Sequence, residues 1–535
     1  TLSSANSFTS TLWVTNNSTL QAGNDSALGT TNGATIVASG STLDENGYYN
    51  DTVANEPVIV QGAGVGGNGA LVNNSGYGDL LNITLAGDTT IGGTARFDAT
   101  GTISTGGHAY NLTIAGNAYH EWNDLAVDAN LANITIVGTA NLGDKGSTTM
   151  GNPTNMLTVV SGATLTFWQN GPVVLNKHLV LNDGSNLQNG DGATTINGPV
   201  TLTNTSASVY SSFNIGGTSL TLNGPLDGDG AIYMNTGTGT LVVNSDSPSY
   251  AGGALVLLGN LKVNGNFGSG GVTTYSGSII SGHGTVGGLL DVAGAMLPGD
   301  QGVAGTLKVA GGLTLESGAT LTNDLSASIT GSNDLVVVTG DLTANANTIV
   351  LNPVNGILQN GIYPLLTYTG SLNGAFAGVQ TVAPSAYTLT LTNITTTSPK
   401  EIGVIVVGSP SLLVWNNGSG NGEWDIESSF NWSNLVSQAS EQFVNADTVV
   451  FDDSITNAAN AALSSSTNID ISGGQVLIPQ AITNNSTVNY TLGGAGKISG
   501  SANIVKMGSS TLTISNINDF TGGVTINGGS VQIYG

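Results

Sequence analysis

The chain has 535 residues and a formal net charge of −25, with 33 Asp and Glu residues against 8 Lys and Arg residues. Gly contributes 79 residues, charged residues make up only 8% of the chain, and Cys is absent. This composition excludes disulfides and thiolate metal sites. It also argues against nucleic acid and anionic membranes as partners, because too few cations are present to neutralise phosphates. The sequence has no apolar run long enough for a membrane-spanning helix, so we expect no membrane span.

Short alternating segments separated by Gly or Asn recur along the chain. Residues 200–203, 220–222, 512–514 and 531–533 alternate apolar and polar side chains, a pattern typical of half-buried strands. Three such strands with Gly or Asn corners make a coil of roughly 22 residues, and stacked coils form a β-solenoid. We therefore expect an all-β parallel solenoid, an elongated rod of about two dozen coils with few or no α-helices. A set of β-sandwiches is the alternative, but it would need longer strands and tight hairpins.

The densest polar and aromatic cluster lies at residues 120–128. It contains His120, Glu121, Trp122, Asp124 and Asp128. A β-helix hydrolase or lyase would place paired carboxylates, or a carboxylate and a base, on one groove face. We predict instead that this segment is a surface loop between strands, and we expect no catalytic residues.

Two turns carry carboxylates that could bind calcium. They contain Asp227 and Asp229 in one case and Asp300 in the other. Calcium needs six to eight oxygen ligands, and no tandem Gly-Gly-x-Gly-x-Asp array appears. We interpret both as ordinary turns and expect no cofactor, with calcium as the weaker alternative.

Residues 411–457 differ from the rest of the chain because Trp415, Trp424 and Trp432 lie close together there. Clustered indoles either stack on sugar rings, which makes these three residues candidates for glycan contact, or form a small core under a loop. We favour packing and leave glycan contact open. The segment is predicted to be a Trp-rich insertion or small β module. It would lie between a solenoid at 1–410 and C-terminal coils at 458–535 that continue the solenoid.

An internal repeat identifies a family resemblance. Residues 520–535 align without a gap with residues 250–265, and both segments have an aromatic residue shortly before Gly-Gly. With Lys497-Ile498-Ser499-Gly500 and Lys506-Met507-Gly508 upstream, residues 494–535 resemble the autotransporter-associated β-strand repeat, and residues 284–325 and 330–400 resemble other parts of such passengers. The resemblance implies a right-handed parallel β-helix displayed or secreted outside a bacterial cell. The Trp pattern at 415–432 also recurs in these repeat proteins, which favours a structural role for it.

The two ends of the chain share one sequence pattern. Residues 1–18 align without a gap with residues 513–530, and the identities include Thr1 with Thr513 and Phe8 with Phe520. Since an uncapped coil exposes unpaired strand edges, we predict head-to-tail stacking of copies into filaments. The alternative is that loops cover the terminal coils or that flanking residues were removed. The residues predicted to form the contact are Leu2, Phe8, Leu12, Val14 and Leu20 in the first coil and Phe520, Val524, Ile526, Val531 and Ile533 in the last.

These features predict a non-enzymatic extracellular structural protein whose partner is a second copy of itself, in a filament or cell-surface coat. The alternative is an autotransporter-type adhesin passenger that binds glycans or cell surfaces. A polysaccharide lyase or hydrolase is the weakest candidate.

Overall fold

The computed structural model describes residues 1–48, 56–146, 150–168, 173–204, 209–354, 358–382, 385–408, 410–456, 467–471 and 473–534. Within these ranges the chain is all β, with no α-helix and two short 3₁₀ turns at Val65–Gly67 and Asp453–Thr456. None of the described residues belongs to a helix long and apolar enough to cross a membrane. The predicted all-β solenoid is confirmed.

The described strands are short, most of them three to five residues long. In chain order they are Leu12–Val14, Thr19–Gln21, Thr35–Val37, Thr42–Asp44, Val58–Gly62, Leu71–Asn73, Tyr77–Gly93, Arg96–Ser104, Leu112–Ile114, Tyr119–Asn123, Ala126–Val127, Ile134–Ile136, Asn141–Lys145, Met156–Val159, Thr164–Phe167, Val173–Leu175, His178–Asn182, Asn186–Asn189, Ala193–Ile196, Val200–Thr203, Ser211–Ile215, Ser219–Leu222, Leu226–Gly228, Ile232–Thr236, Thr240–Val243, Ala254–Val256, Asn260–Val263, Val272–Thr274, Ile279–Gly282, Thr285–Val286, Leu290–Val292, Ala295–Pro298, Thr306–Val309, Leu313–Leu315, Thr320–Leu325, Leu335–Val338, Leu342–Asn345, Thr348–Pro353, Gly361–Tyr368, Leu372–Ala375, Gly378–Thr381, Tyr387–Ile394, Lys400–Gly408, Leu412–Trp415, Trp432–Asn434, Ser440–Glu441, Thr448–Asp452, Asn468–Asp470, Val476–Leu477, Ala481–Asn485, Tyr490–Gly493, Lys497–Ile498, Asn503–Met507, Thr511–Ile514, Val524–Ile526 and Ser530–Ile533.

Successive coils stack in register, so that equivalent side chains form columns. Val14 pairs with Val37, Val37 with Val60, and Val60 with Leu85, each in a parallel ladder. All four side chains are buried. Burying one such side chain stabilises the fold by about 1.5–3 kcal/mol, and each column extends the same core by one coil. The alternation seen in the sequence is therefore the alternation of core and outer face.

Glycine is required at some corners of the coils. Gly282 ends the strand Ile279–Gly282 with a φ of +107°, and a Cβ there would clash with the carbonyl oxygen of Val263 on the preceding coil. Only glycine adopts this backbone conformation without strain and lets the two backbones come so close.

The chain divides into two compact units. The first comprises Thr1–Met296, Leu307–Ala319 and Thr339–Leu342, and the second comprises Leu297–Thr306, Thr320–Val338 and Thr343–Gly535. The paired strands of the first unit run parallel, coil upon coil. Its ladders are interrupted by local register shifts, for example between Ser212 and Asn214.

The second unit also contains antiparallel strands. Gly361–Tyr368 and Tyr387–Ile394 both pair antiparallel with Lys400–Gly408, and Leu412–Trp415 pairs antiparallel with Trp432–Asn434. Parallel coils resume after this point, where Val449 pairs with Ile482 and Ile482 with Ile504. The solenoid has about 21 turns. The sequence predicted about two dozen coils, slightly more than the structure has. Part of the difference arises because the antiparallel segments use residues without adding turns to the solenoid.

Candidate functional site

The three clustered tryptophans lie inside the protein. Trp415, Trp424 and Trp432 are fully buried. The ring centroids of Trp415 and Trp432 are 5.0 Å apart, and those of Trp424 and Trp432 are 5.3 Å apart, both in edge-to-face arrangements. Phe443 and Phe451 complete the cluster around Trp424. No ring face is left for a sugar, so the packing interpretation is the one that this geometry supports.

Polar side chains fold the Trp segment back onto its own core. The amide of Asn431 donates to the backbone oxygen of Glu423 at 2.7 Å and to the side-chain oxygen of Asn421 at 2.6 Å. The carboxylate of Asp425 accepts from the backbone and hydroxyl of Ser429. The apolar core of this segment is continuous with that of the later coils, through Ile482, Ile504 and Ile514 among others. The boundary predicted between residues 457 and 458 lies outside the described residues.

The last described coil exposes its apolar residues. Val524–Ile526 pairs with Asn503–Met507, and Ser530–Ile533 pairs with Thr511–Ile514. Within the described residues, Val524–Ile526 and Ser530–Ile533 each have a partner strand on one side only. Val524 and Ile533 stand in register with the buried Ile504 and Ile514, and Ile526 stands in register with the buried Lys506. The side chains of Val524, Ile526 and Ile533 are nevertheless 39%, 52% and 53% exposed. Phe520 and Val531 are half-buried. A further coil placed against this end would bury these side chains.

The residues predicted for the contact in the first coil are less exposed to solvent than those in the last coil. Leu12–Val14 pairs with Thr35–Val37, and Thr19–Gln21 pairs with Thr42–Asp44. Val14 is buried, and the other four residues predicted for the contact are half-buried, namely Leu2, Phe8, Leu12 and Leu20. Both ends thus carry strand edges able to accept further backbone hydrogen bonds. The first coil also exposes one large apolar side chain, Trp13, which is 61% exposed.

The cluster at residues 120–128 was predicted to be a surface loop, and this prediction was wrong for residues 120–123. Tyr119–Asn123 is a strand that pairs in parallel with Arg96–Ser104 and with Asn141–Lys145. His120 faces the core in register with Phe97 and Leu142, and its Nε2 lies 3.2 Å from the backbone oxygen of Ala115. Burial lowers the pKa of His120 to about 4. This histidine is a core residue.

Asp128 has a structural role of a different kind. Its carboxylate accepts hydrogen bonds from the backbone and hydroxyl of Thr105 and from the backbone and amide of Asn130. These donors hold the pKa of Asp128 well below its usual range. Asp128 therefore links the turn at Thr105 to its own turn on the next coil by hydrogen bonds.

Sequence reasoning missed the role of Arg96. Its guanidinium forms a two-pronged pair with Asp98, at 3.0 Å from Nε to Oδ1 and 2.8 Å from Nη2 to Oδ2, and lies 3.2 Å from Glu121. It is also sandwiched between the rings of Tyr77 and Tyr119, at 5.0 and 5.3 Å from their centroids. The signal available was that Arg96 is the one arginine in a strongly acidic chain.

An exposed ladder of asparagines was also missed. Each rung directly follows a strand of one parallel sheet, and each amide nitrogen donates to the side-chain oxygen of the preceding rung at 2.8–2.9 Å. The rungs are Asn176, Asn197, Asn223, Asn244 and Asn264. The recurrence of Asn just after an alternating segment, at about one coil's spacing, was the signal.

The turn carboxylates do not assemble into a metal site. Asp229 accepts from the backbone nitrogen of Asn204 at 3.0 Å, which is turn chemistry. Across the described ranges, no group of three or more His, Asp or Glu side chains is placed to hold a metal ion. The calcium alternative at Asp227, Asp229 and Asp300 thus gains no support from a ligand cluster.

Two similarities to known proteins accompany this geometry. Residues 504–533 match the passenger-associated-transport-repeat. The chain is also 26% identical over 238 residues to the adhesin BmaC autotransporter of Brucella suis biovar 1 (strain 1330), covering 38% of this chain. The match spans 7% of that relative's length. Together with the solenoid fold, these similarities confirm the predicted resemblance to autotransporter passenger repeat proteins.

Proposed function

We propose that the chain is a segment of a cell-surface or secreted adhesin, in which the β-helix presents adhesive faces outside the bacterial cell. The similarity to an autotransporter adhesin carries this proposal, and it implies display at the cell surface or beyond it. The role is non-enzymatic, and the ligand is a glycan or another component of a cell surface.

The charge of the chain constrains how such adhesion works. A net charge of −25 repels anionic cell surfaces at long range. At physiological salt this repulsion is screened within about 8 Å. Attraction must then come from short-range hydrogen bonding and apolar contact, for which the outer faces offer amide and hydroxyl groups such as the asparagine ladder.

Attachment of protein-coated beads to cultured cells tests the proposal. Beads coated with the folded chain should attach in greater numbers than beads coated with an unrelated protein of similar net charge, and attachment should increase as salt rises from about 20 to 150 mM because the repulsion is screened. Attachment no higher than that of the control beads at every salt concentration would refute the adhesive role.

A second candidate function is head-to-tail stacking into filaments, favoured by the exposed apolar residues of the last coil. A second copy would add its first coil to the open edges of Val524–Ile526 and Ser530–Ile533. A further coil of the same polypeptide would fit there equally well. In the stacking proposal the partner is a second copy of the chain, and no nucleic acid is involved.

Light scattering across a wide concentration range tests the stacking. The chain should grow into filaments, and Ile526→Lys with Ile533→Lys should prevent growth by placing ammonium groups in the contact. Val436→Lys is the matched control, because Val436 is 85% exposed and lies away from the last coil. A chain that stays monomeric at all concentrations would contradict the stacking proposal.

A further inference from the structure

A cavity of about 480 Å³ opens on the surface of the first unit. Its lining residues come from successive coils between Thr19 and Gly116. The volume lies within the range of about 300–1,000 Å³ that is usual for small-molecule sites. The cavity therefore has room for a small ligand or for the end of a longer one.

The short 3₁₀ turn Val65–Gly67 forms one wall of the cavity, and a buried hydroxyl fixes this turn. The Oγ1 atom of Thr42, which is 5% exposed, accepts from the backbone nitrogen of Val65 at 2.9 Å and donates to the backbone oxygen of Gly69 at 2.8 Å. Asn68 lines the cavity from an exposed position, and its Nδ2 lies 3.5 Å from the oxygen of Val65, at the limit of a hydrogen bond. The wall is thus fixed, while the amide of Asn68 keeps most of its hydrogen-bonding capacity for a ligand.

A buried carboxylate fixes another wall. Asp44 is 5% exposed, and its carboxylate accepts from both the backbone nitrogen and the Nδ2 of Asn74, at 3.3 Å each. The Oδ1 of Asn74 in turn accepts from the hydroxyl of Thr94 on the next coil, at 3.3 Å. Asn74 and Thr94 both line the cavity. Their remaining acceptor positions are therefore held in fixed directions before any ligand arrives.

The recess exists because glycines occupy part of its lining. Gly93 and Gly116 lie on neighbouring coils, and a Cβ on Gly116 would clash with the backbone oxygen of Gly93. The two backbones therefore approach closely and leave space where side chains would otherwise stand. Val72 and Ala115 add small apolar surfaces beside them.

The lining selects a chemical class of ligand. None of the lining residues that the structure describes carries a charge, so a phosphate or carboxylate ligand would find no cation there, and the net charge of −25 repels it. The described lining also includes no aromatic ring on which a nucleobase could stack. It offers hydroxyl and amide groups that both donate and accept, interspersed with small apolar surfaces. A neutral sugar matches this pattern, because its hydroxyl groups donate and accept around an apolar ring.

We propose that the cavity between the turn Val65–Gly67 and Asn74 binds a neutral sugar, free or at the end of a glycan chain. The amide of Asn68 and the hydroxyl groups of Thr19 and Thr94 contact the sugar, and Val72 and Ala115 lie against its ring. This inference rests on the proposed adhesive function and names the class of its ligand.

Binding of the full chain to a glycan array tests the cavity. The array carries neutral glycans that end in glucose, galactose, mannose or N-acetylglucosamine, together with their sialylated and sulfated forms. The chain should bind at least one neutral glycan, and its Kd should not rise between about 20 and 150 mM salt, because no charge pair forms. Asn68→Ala should raise this Kd about fivefold through the loss of one hydrogen-bonding group. Ala115→Trp should raise it by at least about tenfold, because the indole occupies the space of the sugar.

Asn32→Ala is the matched control, because Asn32 is an exposed asparagine of the same unit that does not line the cavity. It should leave the Kd unchanged, and circular dichroism verifies that each variant keeps the fold of the parent. A Kd that neither Asn68→Ala nor Ala115→Trp raises, or binding to acidic glycans only, would overturn the proposal.

The array and the bead assay separate this inference from the adhesive function. Beads that attach to cells, with no binding of the chain to any neutral glycan on the array, would overturn the sugar site and leave adhesion standing. Array binding that depends on Asn68 and Ala115, without attachment of beads to cells, would support the sugar site and count against adhesion.

Discussion

Replacing Arg96 by Gln should destabilise the first unit locally. The change removes a two-pronged pair with Asp98, an ion pair with Glu121 and a cation–π contact with each of two tyrosines. Asp98 is 2% exposed, and Glu121 pairs with it in register on the next coil. The two carboxylates are then left neighbouring, buried and without their guanidinium.

The expected cost is about 2–4 kcal/mol. Removing one partner of a buried ion pair costs about 3–5 kcal/mol, and a discount applies because the Arg96 side chain is 43% exposed. The penalty comes from two carboxylate charges that are left buried without their guanidinium.

The cost is best measured as a local opening free energy, because a solenoid of many coils does not unfold in one step. Hydrogen exchange at the amides of Arg96–Ser104 and Tyr119–Asn123 supplies it for both variant and parent. Lys145→Gln is the control: Lys145 also pairs with Glu121, at 3.8 Å and 45% exposure, and its loss should cost at most about 1 kcal/mol. An Arg96→Gln cost no larger than that of Lys145→Gln would refute this reasoning.

Substitutions at two further residues probe the cores of the two units. Trp424→Ala should cost about 3–5 kcal/mol through the cavity it leaves. Trp424→Phe should cost clearly less, because the buried indole nitrogen has no hydrogen-bond partner among the described residues and its removal loses no bond. Hydrogen exchange at the amides of Leu412–Trp415 and Trp432–Asn434 measures both local costs, and equal costs would contradict the packing account. For His120, burial lowers the folded-state pKa to about 4 from 6.5, so the unfolded chain binds the proton first and stability should fall by up to about 3 kcal/mol as pH drops from 6.5 to 4. His120→Leu should remove this acid loss at strand Tyr119–Asn123, as measured by hydrogen exchange, and a loss that persists in the variant would assign it to another group.

The repetitive parts of the fold could be predicted from the sequence because their cause is local. Alternation such as that of residues 512–514 marks one inward face, and glycine at a corner such as Gly282 marks a close approach of neighbouring coils. These signals repeat with every coil. Strand pairing between successive coils then follows with little further information.

Features that depend on contacts between distant residues could not be predicted in this way. Tyr387–Ile394 alternates clearly, but alternation does not say that its partner is antiparallel. Glu121 argues for a loop when considered alone, and it fits in a strand because Arg96 on the preceding coil and Lys145 on the next coil pair with it. The loop of residues 299–305 is held by the carboxylates of Asp324 and Asp334, which lie 22 and 29 residues from the amides that they bind. Neither attachment is visible in the local sequence.

Antibody labelling of intact cells of the source organism tests the account most directly, since adhesion requires the β-helix to lie outside the cell. Antibodies raised against the folded chain should label unpermeabilised cells or detect the chain in the culture medium. Labelling that appears only after permeabilisation, with none in the medium, would contradict the account of a displayed passenger.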